Sequence, residues 1–552
     1  MRRPGTDLAV TIAITVLVLG PLLVGGGYWL VGDMVFVPHQ PWKSAWLGLD
    51  GSLPRAVPMD ALVSLATEVV PGGVVQRLLL VGGFLAGGLG IGRVVGDQRW
   101  YARAAAITLF CWNPWVYERL LIGQWAILLG YLLLPWVARA ALRLRADPRD
   151  WGPAAVVLVL SAVCSPSSGL MAIGVLAVLS LGRDRRTWWR AAVLAVGANL
   201  TWALPALTAT TARVTTEGVF EGFAARAESA AGTAASVLSL GGIWKTSILP
   251  AERASAAVVL LSCVLSLVAL SGIARSGPDR RRWALLAAAA LVLALLPAVP
   301  GGSTLLERLA DPLPGLALLR DSHRYLAPLG LVLAVGSAHA VGALRERIRP
   351  DTPALWSAVV LAVVAPLLLL PSLAWGALGE LQRSSYPSAW GEVAGLVGPD
   401  DTTVVLPWVG SYRGYAWNHR RAVLDPAPRL LPGEVLIDDR VLLGGDRVVP
   451  AEDPRVVAVT GALAAADPAA ALRAIGVRWV LVERGMGDPE VPGGRVAYDA
   501  GGLRLVDLAA DDDVTDVTKR SARSRQIVLS IGHACAFLLL LAGAAWILTS
   551  RK

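Results

Sequence analysis

Apolar runs of about 20 residues recur along this chain, with short polar loops between them. A helical run of that length spans the ~30 Å hydrocarbon core of a bilayer, so each run predicts a membrane helix. About twelve segments meet this criterion, at residues 8–31, 74–96, 100–116, 125–144, 153–165, 167–182, 188–209, 254–275, 282–300, 325–344, 354–378 and 526–549. The pair at 153–182 is short and broken by CSPSSG, which favours a hairpin that stops partway. The pattern predicts a polytopic α-helical membrane protein.

The segment 379–525 departs from this pattern because it is soluble in character. Three runs in it are typical of strands, at residues 402–409, 477–483 and 503–508. Residues 467–476 are typical of a helix, with Asp467 as a cap and Gly476 at the end. The chain is therefore predicted to divide into a membrane bundle with outer loops at 1–378, a small extracytoplasmic α/β domain at 379–525, and a last helix with a cytoplasmic tail at 526–552.

Arginine marks every second loop, which predicts the topology. Loops such as GDQRWYAR, RLRADPRDW, GRDRRTWWR and ARSGPDRRRW are basic, and the alternation holds through the last helix. Because basic loops stay in the cytoplasm, both termini are predicted to be cytoplasmic. The long loops, at 32–73, 210–253, 301–323 and 379–525, are then predicted to lie outside the cell membrane. MRR before the first apolar run predicts an uncleaved first helix.

Composition supports a membrane protein over a nucleic-acid-binding one. The chain is 55% hydrophobic and only 16% charged, whereas soluble domains carry about 25% charged residues. The basic loops account for the net charge of +9, so no nucleic-acid partner is expected. The four cysteines lie in or beside apolar segments without metal-like spacing, and we interpret them as buried hydrophobes. Abundant Ala, Val, Leu, Gly and Arg with little Lys is typical of a high-GC bacterium, such as an actinobacterium.

The first outer loop, GDMVFVPHQPW, carries the first candidate site. Asp33 follows the first helix at the membrane surface, and His39, Gln40 and Trp42 follow it. Imidazole and amide groups hydrogen-bond hydroxylated substrates, and an indole stacks on sugars. The alternative is a plain connector stiffened by its two prolines.

The stretch NPWVYERLLIGQW carries the second candidate site. Glu118 and Arg119 lie between two apolar helices, where ionisable groups are costly and face a cavity. As neighbours on a helix they are expected to point apart. The alternative is an interfacial hairpin with tryptophans at the membrane surface.

The stretch LLRDSHRYLAP carries the third. Arg320, His323 and Arg324 precede a helix on the outer side, where arginine runs against the charge bias. The guanidinium fork matches phosphate oxygens, so these residues are candidates to bind a lipid phosphate or pyrophosphate. The alternative is a local ion pair with Asp321 at the helix start.

The outer domain carries an aromatic stretch, SYRGYAWNHRR. Aromatic residues mixed with Asn and Arg are typical of a carbohydrate-binding surface, and equally of a domain that rests on a membrane. The sequence has no GxSxG, Walker, HExxH or Rossmann motif, which argues against hydride transfer, ATP hydrolysis and zinc peptidase activity.

GDMVFVPHQPW, NPWVYERLLIGQW and LLRDSHRYLAP together resemble the GT-C class of integral-membrane glycosyltransferases. Within that class the arrangement is most similar to YfhO-type and actinobacterial arabinofuranosyltransferase-like membrane proteins. The resemblance implies a polyprenyl-phosphate sugar donor and a glycan or lipid acceptor outside the cytoplasmic membrane. It also implies that Asp33, the acid of the first outer loop, is the catalytic base or a metal-binding residue, and we predict the catalytic role.

Many members pair this acid with a second one, whereas this sequence has only Asp33 in GDM. A divalent cation is therefore not supported, and no cofactor is expected. Within the resemblance, His39, Gln40, Glu118, Arg119, Arg320, His323 and Arg324 are the predicted substrate-binding residues. Two other functions remain open: a non-catalytic envelope-assembly scaffold with a degenerate GT-C fold, and a transporter or flippase of lipid-linked glycans.

Overall fold

The computed structural model describes residues 4–51, 56–209, 218–349, 352–443, 447–449, 451, 453–487, 489, 492–508 and 523–550. Its first part is a helical bundle. The bundle helices are α1 (Pro4–Leu23), α2 (Gly72–Val94), α3 (Trp100–Cys111), α4 (Pro114–Leu121), α5 (Trp125–Ala146), α6 (Gly152–Cys164), α7 (Pro166–Ser180), α8 (Arg185–Leu207), α9 (Ala256–Ile273), α10 (Arg280–Leu295), α11 (Ala327–Gly342) and α12 (Pro353–Leu369).

A helix lies at each predicted membrane segment. Among the described residues, eight helices are long and apolar enough to cross a bilayer. A ninth span results if α12 is counted together with Pro371–Leu378, which follows it after a bend of 71°. The other three predicted segments match α3, α6 and α7, which are shorter. The structure therefore confirms a multi-pass membrane protein.

The α6–α7 pair forms the predicted hairpin. At 1.5 Å per residue these helices are roughly 20 Å long, which is less than a bilayer core. The first residue of α6, Gly152, packs against Trp546. Near the last residue of α7, Leu179 O accepts a hydrogen bond from Arg145. The start of α6 and the end of α7 therefore lie at the same end of the bundle. The tip packs so closely on α5 that a Cβ on Gly130 would lie 2.1 Å from Ser168 Oγ. The pair therefore turns back inside the bundle.

Contacts between loops sort the helix ends into two groups. At one end, which we call the arginine-rich end, Arg145 pairs with Asp279 at 2.6 Å and Arg103 with Asp7 at 2.9 Å. The Trp151 and Trp546 rings also meet there, 6.5 Å apart. The opposite end, which we call the Asp33 end, holds all the candidate residues of the long loops. This arrangement agrees with the alternation of basic loops.

The α/β domain is built on a five-stranded sheet. Its strands run in the order Arg495–Ala500 (β10), Leu503–Asp507 (β11), Trp479–Glu483 (β9), Thr402–Leu406 (β3) and Glu434–Leu436 (β6). The remaining strands form two-stranded pairs: β1 (Tyr28–Trp29) with β2 (Arg383–Ser384), β4 (Tyr412–Arg413) with β5 (Val423–Leu424), and β7 (Val441–Leu443) with β8 (Arg447–Val449). The domain helices are α13 (Ser388–Ala394), α14 (Pro454–Leu463) and α15 (Pro468–Ala474), and the long α16 (Arg523–Thr549) returns to the bundle.

Local sequence signals explain how α15 is placed. The Asp467 side chain accepts a hydrogen bond from Ala470 N at 3.0 Å, as an N-cap does. Gly476 ends the helical stretch at φ +85°, which favours glycine. Both predicted boundary residues are confirmed.

The aromatic stretch of the outer domain docks it onto the bundle. Asn418 is fully buried, donates to Leu30 O at 3.1 Å and accepts from Ser384 Oγ at 2.7 Å. The Tyr415 ring is also buried and stacks on Trp417 with centroids 4.7 Å apart. The sequence of this stretch is typical of a carbohydrate-binding surface or of a domain that rests on a membrane, whereas its buried members make this contact with the bundle.

Candidate functional site

Two glycines allow the first outer loop to pack closely against the turn between α4 and α5. Gly32 and Gly123 have φ of +51° and +80°. A Cβ on Gly32 would lie 2.0 Å from Ile122 O, and one on Gly123 would lie 2.1 Å from Val31 O. The backbone N–H of Asp33 donates to Ile122 O at 3.0 Å. Only glycine permits this approach, which fixes Asp33 beside the end of α4.

Asp33 is half-buried, and its carboxylate is contacted by the outer domain. The Tyr412 hydroxyl of the outer domain donates to Asp33 Oδ1 at 2.5 Å. The Lys245 ammonium, from the loop between α8 and α9, lies 6.0 Å from the centre of the Tyr412 ring. The backbone of Gly32 is held in turn, because its N–H donates to Ala422 O at 2.8 Å. The carboxylate is thus oriented by the outer domain and still reaches the surface.

A fully buried histidine joins the second and third candidate stretches. Arg119 Nη2 donates to His323 Nδ1, and His323 Nε2 donates to Gly241 O at 2.9 Å while lying 3.5 Å from Glu118 Oε2. The neighbours Glu118 and Arg119, predicted to point apart, therefore both reach His323, at opposite ring nitrogens. Arg119 also donates to Gln124 and lies within electrostatic range of Asp33. All of these contacts stand at the Asp33 end.

The Arg–Asp pair expected as the alternative for LLRDSHRYLAP is present. Arg324 Nε lies 2.7 Å from Asp321 Oδ2, and Arg119 Nη1 lies 3.8 Å from the same oxygen. The Arg324 side chain is 24% exposed, whereas that of Asp321 is 3% exposed. Arg320 is half-buried at the start of the same turn. Arg324 therefore connects the buried charges to the surface.

A second buried ion pair completes the cluster. Arg253 Nε lies 2.9 Å from both carboxylate oxygens of Glu228, and Arg253 Nη2 donates to Ser239 Oγ at 2.8 Å. A Cβ on Gly241 would strike this pair, so the Gly241 carbonyl that holds His323 lies directly against it. The cluster so defined contains Glu118, Asp321 and Glu228 with Arg119, Arg253 and Arg324. Three carboxyl groups thus face three guanidiniums around the imidazole. Burial, with the Glu228 charge added, raises the pKa of Glu118 well above its usual value, which favours its neutral form.

His39 and Gln40 make their contacts outside this cluster. His39 is exposed and faces Glu68 at 3.6 Å. Gln40 is fully buried, where its Nε2 donates to Asp60 O and its N–H to Thr67 Oγ1, both at 3.0 Å. These contacts hold the first outer loop together. Substrate binding by His39 and Gln40 stays a prediction that the cluster does not support.

The predicted substrate-binding residues also differ in exposure. Glu118, Arg119 and His323 have no exposed surface, so in this conformation they contact protein groups alone. We therefore interpret them as positioning residues, with Asp33, Arg320 and Arg324 left to face a ligand. Sequence reasoning missed Tyr412 as the partner of Asp33, and it missed the Glu228–Arg253 pair. Neither pair has a local sequence signal, because the glycines of GDM and IGQW mark only the approach of the first outer loop to the turn between α4 and α5.

Beneath Tyr412 lies a second buried group of charges. Arg413 Nε donates to Glu483 Oε2 at 2.7 Å, and its Nη2 lies 3.4 Å from Asp425 Oδ2. The Tyr415 hydroxyl donates to Glu483 Oε1 at 2.5 Å. Two carboxylates share one guanidinium here. Burial, with the Asp425 charge added, raises the pKa of Glu483 from 4.5 to about 8.

This raised pKa predicts that stability depends on pH. The folded protein keeps the Glu483 proton up to about pH 8, while the unfolded chain releases it near 4.5. The folded state thus binds more protons between these values, so the free energy of unfolding falls as pH rises, by up to about 1.4 kcal/mol per pH unit. Thermal unfolding of the whole protein at pH 5, 6.5 and 8 measures this slope.

Glu483→Gln is expected to flatten the slope over the same pH range. Asp499→Asn, which changes an exposed carboxylate paired with Arg484 and Arg504, is the matched control and is expected to leave it unchanged. An identical slope in wild type and Glu483→Gln would contradict the assignment.

The described residues contain no group of three or more His, Cys, Asp or Glu side chains that is suited to a metal ion. Cationic groups lie near Asp33. Lys245 lies beside Tyr412, and the buried Arg119 lies within electrostatic range of Asp33. The described part of this site thus offers cationic groups around one carboxylate.

The fold has clear counterparts among solved structures. The arabinofuranosyltransferase AftD from Mycobacteria matches with a TM-score of 0.60 and 18% identity, over 93% of this chain and 40% of that one. Two classes of a mutant form match with TM-scores of 0.57 and 0.56, at 18% and 17% identity, over 93% of this chain and 42% of theirs. This chain has a GT-C fold. The resemblance inferred from the three stretches is confirmed at the level of fold.

The match is one of fold alone, since identity is below one fifth. The chain spans about two fifths of the length of the arabinofuranosyltransferase. No protein-family model matches the sequence, and no curated protein matches it. The GT-C fold therefore positions the site but does not establish the function, which has to be inferred from the residues at the Asp33 end.

Proposed function

We propose that this protein is an integral-membrane glycosyltransferase of the cell envelope. It moves a sugar from a polyprenyl-phosphate donor to a glycan or lipid acceptor on the extracytoplasmic face of the cytoplasmic membrane. The observation that carries the proposal is the half-buried Asp33 carboxylate, held by Tyr412 at 2.5 Å, at the bundle end where the buried charge cluster reaches the surface through Arg324. The GT-C fold supports it.

The residues divide the chemistry between them. Asp33 accepts the proton of the acceptor hydroxyl as that oxygen bonds to the anomeric carbon. The bond from the anomeric carbon to the phosphate oxygen breaks, and the lipid phosphate leaves with the electron pair. Arg324 and Arg320 stabilise the charge on the departing phosphate, since fixed cations act most strongly where water is excluded. Arg119, which is itself hydrogen-bonded to His323, holds Arg324 through Asp321.

A small apolar crevice of about 30 Å³ lies beside the charge cluster. It lies between α3, α9 and α12 and is lined by Leu109, Leu265 and Leu369. Ser239 and Leu240 also line it, and Gly241, the next residue, accepts the hydrogen bond of His323. Because the crevice is only large enough for water, an apolar chain would lie beside the charge cluster here once these helices move apart.

Transfer by the purified protein tests the proposal. The protein in lipid vesicles is incubated with a panel of polyprenyl-phosphate sugars and an envelope-glycan acceptor, and products are identified by mass spectrometry. We expect product with one donor and release of polyprenyl phosphate in equal amount. Absence of transfer with every donor, from protein with an intact unfolding transition, would contradict catalysis and favour the envelope-assembly scaffold.

A further inference from the structure

A cleft of about 660 Å³ opens at the arginine-rich end, on the opposite side of the bundle from Asp33. It lies between the start of α3 and the start of α12. Its walls include Arg99, Trp100, Tyr101, Arg345 and Trp356. No residue of the Asp33 site contributes to it, so the proposed sugar transfer does not account for it.

The cleft is positive. Arg103 is neutralised by Asp7 at 2.9 Å, and the exposed Asp97 accepts a hydrogen bond from Gln98. The described lining residues include three arginines, Arg99, Arg103 and Arg345, and one acid, Asp97. The α3 helix begins here with Arg99 in the capping position and without a side-chain cap, so its first N–H groups add positive potential.

A buried hydroxyl points to a ligand. Tyr101 is 4% exposed and lines the cleft, and its Oη has no hydrogen-bond partner in the described structure. Buried hydroxyls without a partner are costly, so such a group indicates an acceptor that is bound in the cell. A phosphate oxygen would satisfy the hydroxyl and the nearby arginines together.

The surroundings indicate a lipid as the source of that phosphate. Trp100 and Trp356, each 40% exposed, stack at the cleft with centroids 6.4 Å apart, as tryptophans do at a membrane surface. One turn further along α12, the exposed Val360 and Leu361 offer an apolar face for acyl chains. We propose that this cleft binds the phosphate headgroup of an anionic membrane phospholipid.

Native mass spectrometry of the whole protein, released from mild detergent with defined phospholipids, tests this. We expect one tightly retained phosphatidylglycerol per protein, favoured at least tenfold over phosphatidylcholine. Arg99→Gln with Arg345→Gln is expected to abolish that preference, and Tyr101→Phe to weaken retention about tenfold, the effect of one hydrogen bond to a charged group. Arg93→Gln is the matched control, because Arg93 lies over Trp136 at 5.0 Å and does not line the cleft.

Equal retention of both lipids, or retention in Tyr101→Phe equal to wild type, would overturn the proposal. So would displacement of the lipid by millimolar inorganic phosphate, which would assign the cleft to a free anion. Tyr101→Phe keeps the ring packing, so it remains informative if the double arginine variant fails to fold. Sugar transfer is a separate readout, and its loss would leave lipid retention unaffected.

Discussion

Asp33→Asn is expected to lower the rate of sugar transfer by about 10²–10⁴-fold, the usual contribution of a general base. Asparagine matches aspartate in size and still accepts the Tyr412 hydrogen bond, but its amide cannot take up a proton. The loss should therefore appear in kcat, with the fold and the donor KM little changed. Initial rates are measured with the donor that the panel of polyprenyl-phosphate sugars identifies. Thermal unfolding of the same preparation checks the fold.

Glu392→Gln is the matched control for this variant. Glu392 is an exposed carboxylate of the outer domain that also accepts a tyrosine hydrogen bond, from Tyr498 at 3.1 Å. Glu392 lies apart from Asp33, so the Glu392→Gln substitution is expected to leave the rate of sugar transfer unchanged. Full transfer by Asp33→Asn would remove Asp33 as the base, and an equal loss in both variants would indicate a general effect of charge.

Arg119→Met is expected to lower the free energy of unfolding by about 3–5 kcal/mol, the range seen when one partner of a buried ion pair is removed. Arg119 is fully buried and contacts Gln124, His323 and Asp321. Its loss would leave Glu118 without the neighbouring positive charge and His323 Nδ1 without a donor. The unfolding midpoint in mild detergent, followed by tryptophan fluorescence, measures the change.

The corresponding control is Arg504→Met. Arg504 pairs with Asp499 at 2.9 Å, but the two side chains are 35% and 32% exposed. Solvent-exposed pairs contribute about 0–1 kcal/mol, so this variant should unfold close to wild type. Equal destabilisation by the two substitutions would show that the balance of buried charge is not what stabilises the bundle end.

The membrane bundle could be predicted from sequence because each helix is encoded by a local run of apolar residues. Twenty apolar residues have few alternatives in a bilayer, and the arginines of the loops then fix the alternation. The CSPSSG interruption likewise predicted the α6–α7 hairpin. The cap at Asp467 predicted the start of α15 for the same reason, because the hydrogen bond involves residues only three apart.

The site was predictable only in part, because its contacts join distant stretches. Asp33, Arg119 and His323 were chosen for their residue types and their positions beside apolar runs. No local sequence pattern predicts that His323 lies between Glu118 and Arg119, because His323 is 204 residues from Arg119 in the chain. Exposure is equally non-local, so sequence could not separate the buried Gln40 and Glu118 from the accessible Arg324. Tyr412 belongs to a stretch interpreted as a carbohydrate-binding surface or as part of a domain resting on a membrane, whereas its hydroxyl contacts Asp33.

The Tyr412–Asp33 hydrogen bond spans 379 residues of chain, which has a consequence for biosynthesis. At the usual 5–20 residues per second, the ribosome makes Tyr412 roughly 20–80 s after Asp33. During that interval the first helices are already in the membrane, yet Asp33 lacks its partner, and Gly32 lacks Ala422. The site therefore matures late, after the outer domain has been translated and folded onto the bundle, so the proposed sugar transfer cannot begin before then.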